Sequence, residues 1–201
     1  WNIDKHYFLD LKKAGIHFCE THFIEKGSKL SLSEFLDKHP MEKFVVKPCV
    51  SSGAFHTYKV ARKEIKQYQA LFQQLLSEQS VILQPFQDNI VNRGEVSLVV
   101  INGVYTHAIL KKAKEGDFRV QDDYGGTVQN YIPSSEEIAY AEKVVKYCPE
   151  MPIYARVDVF LDNQNKLALA ELELIEPELW FRNYPKAADQ LAQAIQRLIK
   201  S

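Results

Sequence analysis

Residues 154–177 read YARVDVFLDNQNKLALAELELIEP, with polar and apolar side chains alternating on both sides of Asp162, Asn163, Gln164 and Asn165. A period of two marks strands, and those four residues favour turns, so the stretch predicts a β-hairpin. A tip at Gln164 and Asn165 sets Asp158 opposite Glu171 and Arg156 opposite Glu173, all on one face. Val157, Val159, Ala170, Leu172 and Leu174 then make the opposite, core-facing side. Directly opposed β-carbons lie about 4.5–5.5 Å apart, where like charges repel, so Asp158 against Glu171 is unfavourable for stability alone. A divalent cation would offset that repulsion. An all-oxygen donor set on a rigid hairpin suits a hard ion such as Mg²⁺, which keeps waters and shares itself with phosphates. The competing reading of the same residues is a solvated acidic face.

The chain of 201 residues is 46% hydrophobic and 11% aromatic, enough to bury a core in one or two domains. Its formal charge of −1 leaves no basic footprint for nucleic acid or an anionic membrane. No apolar run approaches the ~18 residues of a membrane helix, and no signal-peptide pattern precedes the first predicted helix, so a cytoplasmic protein is expected. Cys19, Cys49 and Cys148 lack CxxC spacing and are expected to be buried thiols. The six histidines show no HExxH-type spacing, and each is expected to be a packed or surface residue.

Along the chain, helices are predicted over 4–14, ending at Gly15, and over 31–39, opened by the Ser31-x-x-Glu34 capping box and closed by Pro40. An extended piece at 16–23 lies between them. Phe44 to Pro48, FVVKP, reads as a strand, followed by the loop Val50-Ser51-Ser52-Gly53 and a second strand over 55–60. Residues 62–76 carry a helical apolar stripe. A strand from Val81 runs into Gln84-Pro85-Phe86, where the proline is expected to end pairing and make a hinge. Asn102-Gly103 between apolar runs predicts a hairpin over 96–110, and the polar 111–126 segment is a candidate site loop. Helices are predicted over 134–148 and from Pro185 onward, giving an α+β chain with mostly antiparallel strands.

Three features occur together: Lys47 ending a strand before a glycine-containing loop, the extended Gln84-Pro85-Phe86 segment, and two hairpins closing on Asp158, Glu171 and Glu173. Together they resemble the ATP-grasp family over nearly the whole chain. From Val81 to Phe181 the sequence is similar to glutathione synthetase and ribosomal-protein glutamate ligases, which share the KEGDFR run at 114–119 almost letter for letter. YARVD followed by ELELIEPELWF is most similar to the branch that includes D-cycloserine ligase.

The resemblance implies an ATP-grasp fold of two α+β lobes gripping ATP. It divides the chain into a helical entry segment at 1–40, a lid subdomain at 41–84 and a C-terminal subdomain with the metal site at 85–201. Residue by residue, it implies that Lys5 and Lys47 hold ATP phosphates and that Ser51, Ser52 and Gly53 form the lid loop, here poorer in glycine than in most relatives. Gln84, Pro85 and Phe86 match the hinge that meets adenine through its backbone, and Glu95 matches a ribose contact. Lys111 and Arg119 match basic residues at the phosphoryl-transfer site. Asp158, Glu171 and Glu173 match the magnesium ligands, where relatives commonly read Glu-x-Asn, and two ions are expected. Arg156 is expected to offset the additional charge of Glu173.

The activity implied is an ATP-dependent carboxylate–amine ligase working through an acylphosphate, on a small-molecule acid and amine. Homo-oligomerisation is compatible with that reading. Relatives carry a further amino-terminal domain, which this chain, beginning at Trp1, is expected to lack, so the chain alone is expected to bind nucleotide with little or no turnover. Two other readings share the fold: a nucleotide-binding module without ligase chemistry, and an ATP-dependent phosphotransferase with a hydroxyl acceptor. Retention of the metal ligands and of Arg119 speaks against the first.

Overall fold

The structure is a computed structural model that describes residues 1–51, 53–114, 116–118, 120 and 125–200. After the opening helix α1 (Tyr7–Lys13), the elements are β1 (His22–Ile24), α2 (Leu32–Lys38), β2 (Lys43–Pro48), β3 (Tyr58–Ala61), α3 (Ile65–Glu78) and β4 (Val81–Pro85). Then come α4 (Asp88–Arg93), β5 (Glu95–Ile101), β6 (Val104–Lys112), β7 (Thr127–Tyr131), α5 (Ser135–Lys146), β8 (Tyr154–Leu161), β9 (Leu167–Glu173) and α6 (Lys186–Lys200). They divide into one unit of Trp1, Ile3–Leu9 and Cys19–Gln87, and a second of Asn2, Asp10–Phe18 and Asp88–Ser201. The two sheets, with their helices, give the α+β architecture of mostly antiparallel strands that the sequence pattern predicts.

In the first unit the sheet runs β1-β4-β2-β3, antiparallel throughout. The capping box at the start of α2 forms as read: Ser31 Oγ accepts from the Glu34 N–H, and Glu34 Oε2 accepts from the Ser31 N–H. Leu32, Phe35 and Leu36 of α2 pack with Phe72, Leu75 and Leu76 of α3 on Phe44, Val46 and Val60. Alternation along β2 therefore turns Lys43, Val45 and Lys47 to the other sheet face. The second strand starts at Tyr58 rather than residue 55, because Ala54 and His56 take left-handed φ values of 57° and 54° that interrupt extended backbone. Phe55, 63% exposed, adds no burial to draw it into the sheet. Pro85 is the last residue of β4, opposite Phe44, so its missing N–H removes nothing from the ladder interior.

In the second unit the sheet runs β7-β6-β5-β8-β9. Every residue of the central strand β5 is buried, with α5 packing on β5, β6 and β8 and α6 packing on β5. Glu173 meets Arg156 and Glu171 meets Asp158, as alternation predicts. Beyond Asp158 the register shifts, Val159 facing Leu169 with Ala170 as the extra residue of a bulge. Asp162 organises the tip: its Oδ1 accepts the N–H of Gln164 and of Lys166, both at 2.9 Å, and Asn165 takes φ 62°. Helix α4 and edge strand β7 have no counterpart in the sequence reading, because DNIVNR is too short for a stripe and TVQNY is mostly exposed.

Gly94 joins α4 to β5 at φ +91°, and a β-carbon there would run into the Lys111 carbonyl oxygen and Leu110. Gly27 also has a left-handed φ, +80°, but with open space around it. Gly94→Ala is therefore expected to lower stability by about 2–4 kcal/mol, combining backbone strain with overpacking. Gly27→Ala carries the backbone term alone, about 1–2 kcal/mol. Urea unfolding midpoints of the two variants check the difference.

Candidate functional site

The registers of four strands collect the acidic residues of the second unit. Glu95 on β5 faces Lys111 on β6, Ser97 on β5 faces Asp158 on β8, and Asp158 and Arg156 face Glu171 and Glu173 on β9. Opposed residues share a sheet face, so all of these side chains lie on one side. Asp158, 2% exposed, is at the centre. Lys111 Nζ donates to its Oδ2 at 2.8 Å, and Ser97 Oγ donates to its Oδ1 at 2.6 Å. Arg156 donates to both oxygens, Nε to Oδ1 and Nη2 to Oδ2, each at 3.0 Å. Lys111 Nζ also meets Glu95 Oε1 at 2.6 Å, and Arg156 Nη2 meets Glu173 Oε1.

Charge balance explains the titration of these groups. Burial pushes the Asp158 carboxyl up, but Arg156 and Lys111 outweigh it and hold it well below the usual carboxylate range. Burial pulls Lys111 down, and Asp158 and Glu95 reverse this to leave it above an ordinary lysine. Glu95 moves upward, by burial first and by the charge of Asp158, against Lys111. Glu173 is pushed up to about 7 from the ordinary 4.5, by burial and then by Asp158, with Arg156 opposing and Glu171 adding. The surplus of negative charge thus falls on the β9 side of the group.

In the first unit the structure brings Lys5 to the loop after β2. Lys5 is 5% exposed, its backbone N–H donates to the Cys49 carbonyl at 3.0 Å, and its Nζ donates to the Ser51 carbonyl at 2.9 Å. Lys47 is half-buried on β2, and Gly53 has φ +57° with open space about it. Gln84 is buried in β4 with its Nε2 donating to Thr21 Oγ1 at 2.7 Å. The Pro85 carbonyl accepts from Gln87 Nε2 at 3.1 Å. The Phe86 N–H is used by the Lys43 carbonyl at 3.0 Å, while Lys59 Nζ lies 4.0 Å over the Phe86 ring. Ser52 and Arg119 lie outside the described residues.

Sequence reasoning missed Ser97, a small polar residue in an apolar strand, whose place opposite Asp158 depends on pairing between strands far apart in the chain. Trp180 is 3% exposed with φ 55°, and among the described residues its indole N–H has no hydrogen-bond partner. Its backbone N–H donates to Glu178 Oε1 at 2.7 Å, and Arg182 lies 4.5 Å over its ring.

The donor set fits magnesium in chemistry: all donors are oxygens, and the carboxylates of Glu95, Asp158, Glu171 and Glu173 outnumber the cations Lys111 and Arg156. Among the described residues, Asp158, Glu171 and Glu173 do not converge to within 4.8 Å as a closed cage. An open set is what magnesium takes when phosphate oxygens and water complete its shell.

Lys111→Met leaves Glu95 and Asp158 buried against each other without their shared cation. A loss of about 3–5 kcal/mol is expected in urea unfolding, as for other broken buried pairs. The folded chain holds the Glu173 proton more tightly than the unfolded chain. Its contribution to stability is fully present below pH 4.5 and is lost as pH rises through about 7. Asp158 acts in the opposite sense, its contribution lost as pH falls below 3.8. Between pH about 5 and about 8 the unfolding midpoint of Glu173→Gln is accordingly expected to fall less than that of the unsubstituted chain.

The chain is 28% identical over 223 aligned positions to the cycloserine biosynthesis protein DcsG of Streptomyces lavendulae, covering 100% of this chain and 71% of that protein. The crystal structure of D-cycloserine synthetase DcsG superposes with a TM-score of 0.87 at 27% identity, over 98% of this chain and 71% of that one. The D-alanine–D-alanine ligase of Bacillus anthracis shares the fold at a TM-score of 0.70 and 18% identity, over 98% and 66% of the two chains. The VanG D-Ala:D-Ser ligase of Enterococcus faecalis does so at 0.72 and 18%, over 98% and 61%. The family model of the RimK-like ATP-grasp domain matches residues 5–176. The chain belongs to the RimK-like ATP-grasp family.

Proposed function

We propose that this chain is the nucleotide- and magnesium-binding part of an ATP-dependent carboxylate–amine ligase that works through an acylphosphate. The observation that carries the reading is the buried group centred on Asp158, in which carboxylates outnumber cations on one sheet face of an ATP-grasp chain. Phosphoryl transfer needs positioning and charge neutralisation more than covalent help from the protein, and this group is arranged for both. Magnesium, when bound, would neutralise phosphate charge from the side of Asp158, Glu171 and Glu173.

Lys111 is the positioning residue of the group. Its ammonium, 3% exposed and between Glu95 and Asp158, holds both carboxylates in place. Arg156 keeps the second oxygen pair of Asp158 oriented and compensates Glu173, the glutamate that stands where relatives commonly have asparagine. Lys5 and Lys47 hold ATP phosphates, with Lys5 fixed to the Ser51 backbone, and Ser51, Ser52 and Gly53 supply the covering loop. The Phe86 N–H is engaged by the Lys43 carbonyl, so in this reading adenine meets the 84–86 segment other than through that N–H. Glu95 acts through Lys111 in this reading, and Arg119 stabilises the acylphosphate and its tetrahedral successor. The charge surplus matches one divalent ion held by protein, with a second carried in by the phosphates. The acid and the amine are small molecules in this reading, with the D-alanine–D-alanine ligase among the structural neighbours as a guide to their class.

Hydroxylamine distinguishes a ligase from a phosphotransferase, because only an activated acyl group traps it. A protein that carries this chain, given ATP, Mg²⁺, hydroxylamine and a panel of amino acids, is expected to form a hydroxamate together with ADP. Glu171→Gln is expected to reduce that rate by about 100-fold or more, the scale of losing one element of charge stabilisation. A phosphorylated alcohol without any hydroxamate would contradict the ligase reading.

A further inference from the structure

Histidines without any ligand spacing in the sequence form a pair in the first unit. His22 lies in β1, and His39 caps the carboxyl end of α2. Their rings approach to 4.1 Å between centroids, tilted by 50°. Phe35 orients both, edge-on to His22 at 5.1 Å and stacked on His39 at 4.9 Å. Glu20 completes the set, its Oε1 lying 2.8 Å from His22 Nε2. One ligand atom from each of Glu20, His22 and His39 lies within 4.8 Å of the other two. Tetrahedral ligands held ~2.1 Å from an ion stand about 3.4 Å apart, so small side-chain movements close the set on one ion. His39 is half-buried, and among the described residues its ring makes aromatic contacts but no hydrogen bond.

We propose that Glu20, His22 and His39 bind a divalent transition-metal ion of the Zn²⁺ class and so tie β1 to the end of α2. Two imidazoles and one carboxylate suit a borderline-soft ion and are a poor set for magnesium, so this site is chemically separate from the oxygen cluster on β8 and β9. The Glu20 side chain is 61% exposed, which leaves the fourth position of a tetrahedron open to water. The ion would brace the weakest part of its sheet. β1 has three residues, lies at the edge, and pairs with β4 alone.

A second set, Asp4, His6 and Cys49, also brings ligand atoms within 4.8 Å. There, however, both ring nitrogens of His6 are taken, by Asp4 Oδ1 at 2.6 Å and Glu25 Oε1 at 3.2 Å. Burial pushes the Cys49 thiol up to about 12, far from a thiolate at neutral pH. That set is an ion-paired histidine beside a buried thiol.

The test is a titration of the chelator-treated chain with Zn²⁺, and with Co²⁺ as a coloured probe. One equivalent of zinc is expected to bind at micromolar concentration and raise the unfolding midpoint, and cobalt is expected to give the visible bands of tetrahedral nitrogen and oxygen ligation. His22→Gln and His39→Gln should each weaken binding by about tenfold or more, and Cys49→Ser should leave it unchanged. Circular dichroism of the metal-free variants shows whether they fold. Should a histidine variant not fold, Glu20→Gln, altered at an exposed position, carries the same expectation. Zinc affinity indifferent to these substitutions, affinity lost in Cys49→Ser, or no binding at micromolar zinc would overturn the proposal.

Discussion

The carboxylate of Asp158 is the interaction on which the second unit depends. It accepts from Lys111 on β6, from Ser97 on β5 and from Arg156 on its own strand, while Arg156 extends to Glu173 on β9. Four strands are thereby joined by polar contacts inside a buried layer. A charge in such a place is tolerable only with nearly every lone pair occupied. Apolar residues could fill the same space with equal or greater stability. The excess of carboxylates over cations there is what the proposed ligand-binding role accounts for.

The same residues link stability to chemistry. Asp158 is held ionised by its cations, whereas Glu173 keeps its proton up to about pH 7. A divalent ion bound as proposed would favour the deprotonated form of each carboxyl, and so would displace a proton from Glu173 but none from Asp158, which is already ionised. Under the proposed magnesium-binding role, ion binding and proton release near neutral pH would be coupled at Glu173.

Local pattern made much of this legible before the fold was known. The hairpin over 154–177, the opposition of Asp158 to Glu171 and of Arg156 to Glu173, the FVVKP strand and the Ser31–Glu34 capping box followed from alternation and cap chemistry, and the structure contains them. What local pattern could not show was pairing between strands distant in sequence. Ser97 meets Asp158 across 61 residues, so only the β5–β8 register makes Ser97 part of the group. The pairing of His22 with His39 likewise depends on where α2 ends relative to β1. The bulge at Ala170 and the late start of β3 were also invisible, since each is decided by backbone geometry that several sequences can adopt. The family resemblance named residues on both units, and the structure brings Lys5 to Ser51 and brings Glu95, Lys111, Asp158 and Glu173 into one group.

The most direct measurement is a thermal-shift titration of the chain with ATP, with and without magnesium, alongside Glu171→Gln. Ligand at about 100 times its dissociation constant adds roughly 2.7 kcal/mol, a readily measured rise in melting temperature. The account predicts a rise that needs both ATP and magnesium and that Glu171→Gln abolishes. A rise of the same size without magnesium, or one that Glu171→Gln leaves intact, would contradict it.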